Sequence, residues 1–213
     1  MPRIDDYKEA LRIAKESIVK RDLLDMAEKA GGRFEERGEE KIVRFNFFTD
    51  PCVLKVRGED VSIEADVEGK EISLTDQVLI AHYLLGASGE KETGEWITFR
   101  DIPDGHFYYD AFLKRARDPF LKTFGNNPQL YEKVAPIIGG VAIEGVGDVA
   151  FDFRVFPKIT VRIILWKGDD EFPPEASILF DSNIQSYLPV EDIAYLSGGV
   201  VYRMMGIARS LTQ

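Results

Sequence analysis

The chain has 213 residues, 45% of them hydrophobic and 30% charged, the balance of a globular chain that buries most of its apolar surface. Lys and Arg number 27 against 37 Asp and Glu, and the net charge of −10 argues against nucleic-acid binding, where phosphate neutralisation calls for a basic surplus. No apolar run approaches the roughly 18 residues of a membrane span, and the lone Cys52 excludes an intrachain disulfide or a Cys-x-x-Cys site.

The N-terminus, amphipathic and acidic, reads as neither a signal nor a transit peptide, so a cytoplasmic location is expected. Residues 5–30 read as helix, with Asp5 or Asp6 as cap and Gly31-Gly32 as stop. Tyr7, Leu11, Ala14 and Ile18 form its apolar stripe, and Arg21-Asp22 divides it into two helices. Residues 33–40 read as a charged turn. From Lys41 the hydrophobic period changes to two: Val43, Phe45 and Phe47, then CVLKVR, then Val61, Ile63 and Ala65, with Gly58-Glu59-Asp60 as a hairpin turn.

Residues 73–86 form the clearest core helix, opened by Ser73 and Asp76, stopped at Gly86, and apolar on nearly every side. A Gly-rich charged loop follows. Residues 107–123 are expected to be helical, with Asp118-Pro119 starting a fresh turn and Lys114, Arg115, Arg117 and Lys122 as a basic cluster. A short helix after Pro128, strands at 149–155 and 159–166, and a terminal helix at 190–208 kinked at Gly198-Gly199 complete the series. The expected fold is α+β: an antiparallel sheet packed with several helices in a single domain over 1–213, with two small domains as the alternative. The N-terminal helix and hairpin occupy 1–70.

Gly145-x-Gly147-x-x-Ala150 has the spacing of a dinucleotide fingerprint, but a period-two strand follows where the phosphate-binding helix should begin, so it is rejected. His82 lies in the core helix, where a packed imidazole is its ordinary role. His106 stands in DIPDGHFYYD beside Asp101, Asp104, Tyr108, Tyr109 and Asp110, where it suits proton transfer or metal ligation, or belongs to a turn made by Asp104-Gly105. Cys52 alternates with strand residues and reads as packed.

Charge is segregated. Residues 168–202 hold Asp169, Asp170, Glu171, Glu175, Asp181, Glu191 and Asp192 and no Lys or Arg. Glu191 and Asp192 fall in a first helical turn, where the macrodipole favours them. The others fit three roles: a solvated turn, a docking surface, or oxygen ligands for a divalent ion.

The runs TGEWITFRDIPDGHFYYDAF (93–112), FGNNP (124–128), GDVAF (147–151), LWKGDDEFPPEASILFD (165–181) and YLPVEDIAYL (187–196) resemble a prokaryotic family of domains of unknown function, found mostly in anaerobes. The likeness covers residues 70–200, with a looser N-terminal part. Some family members are fused to a four-cysteine iron–sulfur domain, which implies a role around one-carbon or corrinoid metabolism. With Cys52 alone, this chain would leave any cluster to a partner. The expected function is therefore an accessory or binding protein whose partner is an iron–sulfur or corrinoid protein, or which helps enclose a large flat cofactor. Trp166, Asp169, Asp170, Glu171, Phe172, Asp181 and Tyr187, with His106 and Tyr108, are its candidate binding residues. The alternative is a divalent-metal hydrolase or lyase using the carboxylates of 169–171 and 181, with His106 or Tyr108 as acid or base. A third is one subunit of a larger complex.

Overall fold

The computed structural model describes residues 3–211, in which antiparallel sheets pack against helices. The expected α+β class is present, with the strands divided between two sheets. Two compact units gather these elements. One is built on the chain up to Lys91 with Phe156–Lys158 and Ser186–Leu188; the other on Glu92–Val155, Ile159–Gln185 and the chain from Pro189 onward.

In the first unit, α1 (Ile4–Val19) and α2 (Leu23–Ala30) are separate helices. The Asp22 carboxylate accepts from the Leu24 and Asp25 amides and so caps α2, and Gly31 ends it at φ +70°, a conformation glycine takes without strain. At the start of α1, Asp6 accepts from the Arg3 amide from inside the helix, in place of the cap expected at Asp5 or Asp6.

Residues 33–40 are not merely a turn. β1 (Arg33–Arg37) pairs with β2 (Glu40–Phe47), which pairs with β3 (Asp50–Arg57) and then β4 (Asp60–Ala65), all antiparallel. The charge that suggested a turn is the charge an exposed edge strand carries, and Glu35 meets Arg44 across the ladder at 3.2 Å. The core helix α3 (Leu74–Gly86) buries Val78, Leu79, Ile80, Ala81, Tyr83 and Leu84, and Ser73 caps it by accepting from the Asp76 amide. The Tyr83 ring stacks on Phe156 at 4.0 Å, and its hydroxyl donates to the Ala30 carbonyl at 2.6 Å, so this large core side chain carries no unpaired polar atom.

The second unit begins with β5 (Trp96–Thr98) and a helical arm in three pieces: α4 (Gly105–Phe112), a wide π-helical turn over Leu113–Arg117, and α5 (Asp118–Phe124). Next comes α6 (Pro128–Val134), capped by Asn127. Then follow β6 (Gly140–Ala142), β7 (Val149–Phe156), β8 (Ile159–Trp166) and β9 (Glu175–Asp181), in sheet order β5-β9-β8-β7-β6. The closing helix α7 (Val190–Leu211) is one continuous element through Gly198-Gly199, where a kink was expected. A Cβ on Gly198 would sit 3.2 Å from the Arg115 carbonyl, so its absence lets α7 lie close to the arm. Tyr131 is fully buried and donates to the Ile163 carbonyl at 2.9 Å; burial raises its phenol well above the ordinary value. Among the described residues, no helix is long and apolar enough to cross a membrane.

A Cβ added at Gly86 would fall 2.2 Å from the Tyr187 carbonyl oxygen, whereas Gly206, exposed in α7, has nothing within 4 Å. Gly86→Ala should therefore cost about 1–3 kcal/mol by overpacking, and Gly206→Ala should add about 0.5–1 kcal/mol through helix propensity. Urea unfolding of the two variants beside wild type checks the opposite signs.

Candidate functional site

Cys52 is buried in the first unit, where burial and then the nearby Asp50 charge push its thiol up to about 11. His82 is half-buried on α3. His106 is exposed on the first turn of α4 with its ring beside Phe107, at 3.8 Å between centroids. Tyr108 bonds to Glu191, and that hydrogen bond raises its phenol above the usual value. Asp104, at φ +61°, lies in the turn closed by the Gly105 amide donating to the Ile102 carbonyl at 2.8 Å. Asp101 accepts from the Thr98 hydroxyl and amide, which hold its carboxyl below the ordinary range. The local cluster expected around His106 is thus largely turn and cap chemistry.

The acidic segment is dispersed. After β8, Asp169 folds back to accept from the Glu171 and Phe172 amides, lowering its own carboxyl and closing a tight turn, while Asp170 and Glu171 stay exposed. Trp166 and Phe172 flank this turn with relative exposures of 38% and 68%. Asp181 is elsewhere. Trp166 is paired with Glu175 at one end of β9, and Asp181 closes the other, six residues or about 20 Å along. One ion cannot take ligands from both. Among the described residues, no group of three or more His, Cys, Asp or Glu is placed to hold a metal.

Asp181 is buried and has a structural task. It accepts from the Thr93, Gly94 and Asn183 amides and the Thr93 hydroxyl. Burial alone would raise its carboxyl, but these donors outweigh it and the net direction is down. Tyr187 does not edge the acidic face as expected. It belongs to the first unit, fully buried, stacked near Tyr83 at 5.7 Å and donating to the Glu90 carbonyl at 2.5 Å. Its closeness in sequence to the acidic run was misleading.

What the second unit does assemble is a cleft of about 530 Å³ between the helical arm and β9. Tyr109, Arg117 and Leu121 line one wall, and the run Pro173–Leu179 lines the other, with Arg100 between them. The Arg100 guanidinium lies over the Tyr109 ring at 4.0 Å from its centroid, and Arg117 pairs with Asp118 at 3.0 Å. Residues 98–100 and 173–179 come from two of the motif runs, one on each side of the arm in sequence. Arg100 escaped the sequence reading because no periodicity links it to β9; Tyr109 was visible only as a neighbour of His106, and Arg117 only as one of a basic cluster.

Comparisons with curated proteins and with solved structures give no match. A family model matches residues 22–203: domain of unknown function DUF3786. The chain belongs to the DUF3786 family. The DUF3786 match reaches back to the Asp22 cap of α2, so it takes in the four-stranded sheet as well as the region marked by the motif runs. Both walls of the cleft lie inside it.

For this DUF3786 domain, Asp181→Asn should cost about 1.5–3 kcal/mol at pH 7, because it replaces a charged acceptor facing three amides. The folded carboxyl is lowered, so its stabilisation is complete above the unfolded value near pH 4 and is lost as pH falls through the folded one. Urea unfolding from pH 7 to pH 2.5 should show the difference between wild type and variant shrinking in acid.

Proposed function

We propose that this DUF3786 protein is a binding module that docks a partner protein through the cleft beside β9 and the acidic, aromatic turn next to it. The observation that carries the reading is the cleft, which sets two arginines and a tyrosine opposite a strand. Mixed apolar, aromatic and arginine surfaces of this kind suit recognition. The exposed Trp166 and Phe172, with Asp170 and Glu171, extend the surface by supplying contact area and orientation. The sequence resemblance implies the partner to test first, an iron–sulfur or corrinoid protein of anaerobic one-carbon metabolism. The only thiol here is buried, which is in keeping with a cluster held by the partner.

The test is affinity capture from an anaerobic extract, using the full tagged chain as bait and mass spectrometry as readout. Reversal of Asp170 and Glu171 to Lys should reduce capture of the partner several-fold while leaving stability within about 0.5 kcal/mol, as for other exposed positions. Equal capture by wild type and the reversed variant would remove the acidic turn from the docking surface. An absence of any specific partner would overturn the reading.

A further inference from the structure

We infer that the open edge of β9 receives an added strand: an extended segment of the partner, carrying an Asp or Glu side chain that meets Arg100, pairs with the backbone of Ala176–Ile178. This deepens the binding-module reading and rests on it. The first observation is a strand paired fully on one side and only partly on the other. β8 pairs with β9 from Glu175 through Phe180, but β5 reaches only Leu179, Phe180 and Asp181. Beyond Thr98 the chain leaves the sheet in a helical turn, Phe99–Asp101, held by the Asp101 carboxylate on Thr98. On the β5 side, Glu175–Ile178 therefore has no strand neighbour among the described residues.

The register tells which groups are left open. Ser182 donates to the Glu95 carbonyl at 2.9 Å, which makes residues 95 and 182 a hydrogen-bonded pair. In an antiparallel ladder such pairs alternate with non-bonded ones. Residues 182, 180, 178 and 176 thus turn their N–H and C=O toward β5; the Thr98–Leu179 pair sets the Phe99 amide against the Ile178 carbonyl, which leaves the Ile178 N–H and both backbone groups of Ala176 toward the cleft. A donor–acceptor set at Ala176 with a further N–H one strand repeat away at Ile178 is the kind of template that strand addition uses. Edge strands that must stay single are guarded by Lys, Pro or a bulge. Here Pro173-Pro174 stops short of the strand, and 175–178 reads Glu-Ala-Ser-Ile.

Charge selects the occupant. The Arg100 guanidinium lies over the Tyr109 ring and makes no ion pair among the described residues. Its planar fork matches a carboxylate in two-point contact. Arg117 at the cleft is paired with Asp118 and Glu175 also lines it, so in a chain of net charge −10 the complement an acidic segment finds here is Arg100.

The experiment selects linear dodecapeptides from a phage-displayed library on the full chain. The recovered sequences are then synthesised with both ends blocked, so that only side chains supply carboxylates. The expected peptides are acidic and lack proline at the pairing positions, and their binding slows hydrogen exchange at the Ala176 and Ile178 amides. Arg100→Glu and Ala176→Pro should each weaken them at least tenfold. Proline at 176 removes only an outward N–H, the one position where an edge strand tolerates it; urea unfolding verifies the fold, and Arg100→Glu alone decides if that variant does not fold. Selection of basic or proline-rich peptides, or equal binding by wild type and Arg100→Glu, would overturn the inference. Partner capture that survives Arg100→Glu but falls on reversal of Asp170 and Glu171 would refute strand addition and leave the binding module standing. Failure of both capture and selection would overturn both.

Discussion

The buried carboxylate of Asp181 governs where β5 lies against β9. A buried charge is tolerated only when donors surround it, and here the Thr93 and Gly94 amides supply them from the segment just before β5. That contact holds Trp96 opposite Asp181, and a slip by one residue would turn every side chain of the short strand to the wrong face. The register in turn sets the point at which Phe99 leaves the sheet. Phe99 stacks on Phe112 at 4.4 Å, and both rings meet Phe180 edge-on at 6.4 Å, so the helical arm is anchored to β9 by one aromatic cluster. The cleft is the space left where the arm stands beyond the end of β5.

The acidic excess acquires a different meaning in three dimensions. Asp22 caps a helix, Asp101 and Asp169 close turns, Asp148 accepts from the Lys167 amide, and Asp152 takes Arg162 in a two-point pair over Trp96. Each binds a backbone amide or a fixed cation, which are the ordinary uses of short acidic side chains. Asp170 and Glu171 remain as exposed charge beside exposed aromatics.

Elements with a sustained period were legible in the sequence. The core helix, the strands of the first sheet from β2 onward, and β7 and β8 follow their apolar spacing, and the break at Asp22 follows its cap. β5 and β6 are three residues each, too short for any period. β1 was hidden by its charges. β9 was hidden because the acidic and proline residues leading into it drew attention to charge. The binding residues fared worse for a related reason: Tyr187 was grouped with Phe172 by nearness in sequence, whereas Arg100 and Tyr109 reach β9 only through the fold. The family likeness needed no such folding, because it rests on unbroken runs of residues.

The burial of Cys52 has a practical consequence. A thiol that is both shielded and held un-ionised at neutral pH reacts slowly with oxidants and alkylating reagents. Toward thiol-selective reagents the chain is therefore quiet, and a cysteine introduced at the mouth of the cleft would react ahead of Cys52. A fluorophore or spin label attached there would report on whatever enters, without interference from the rest of the molecule.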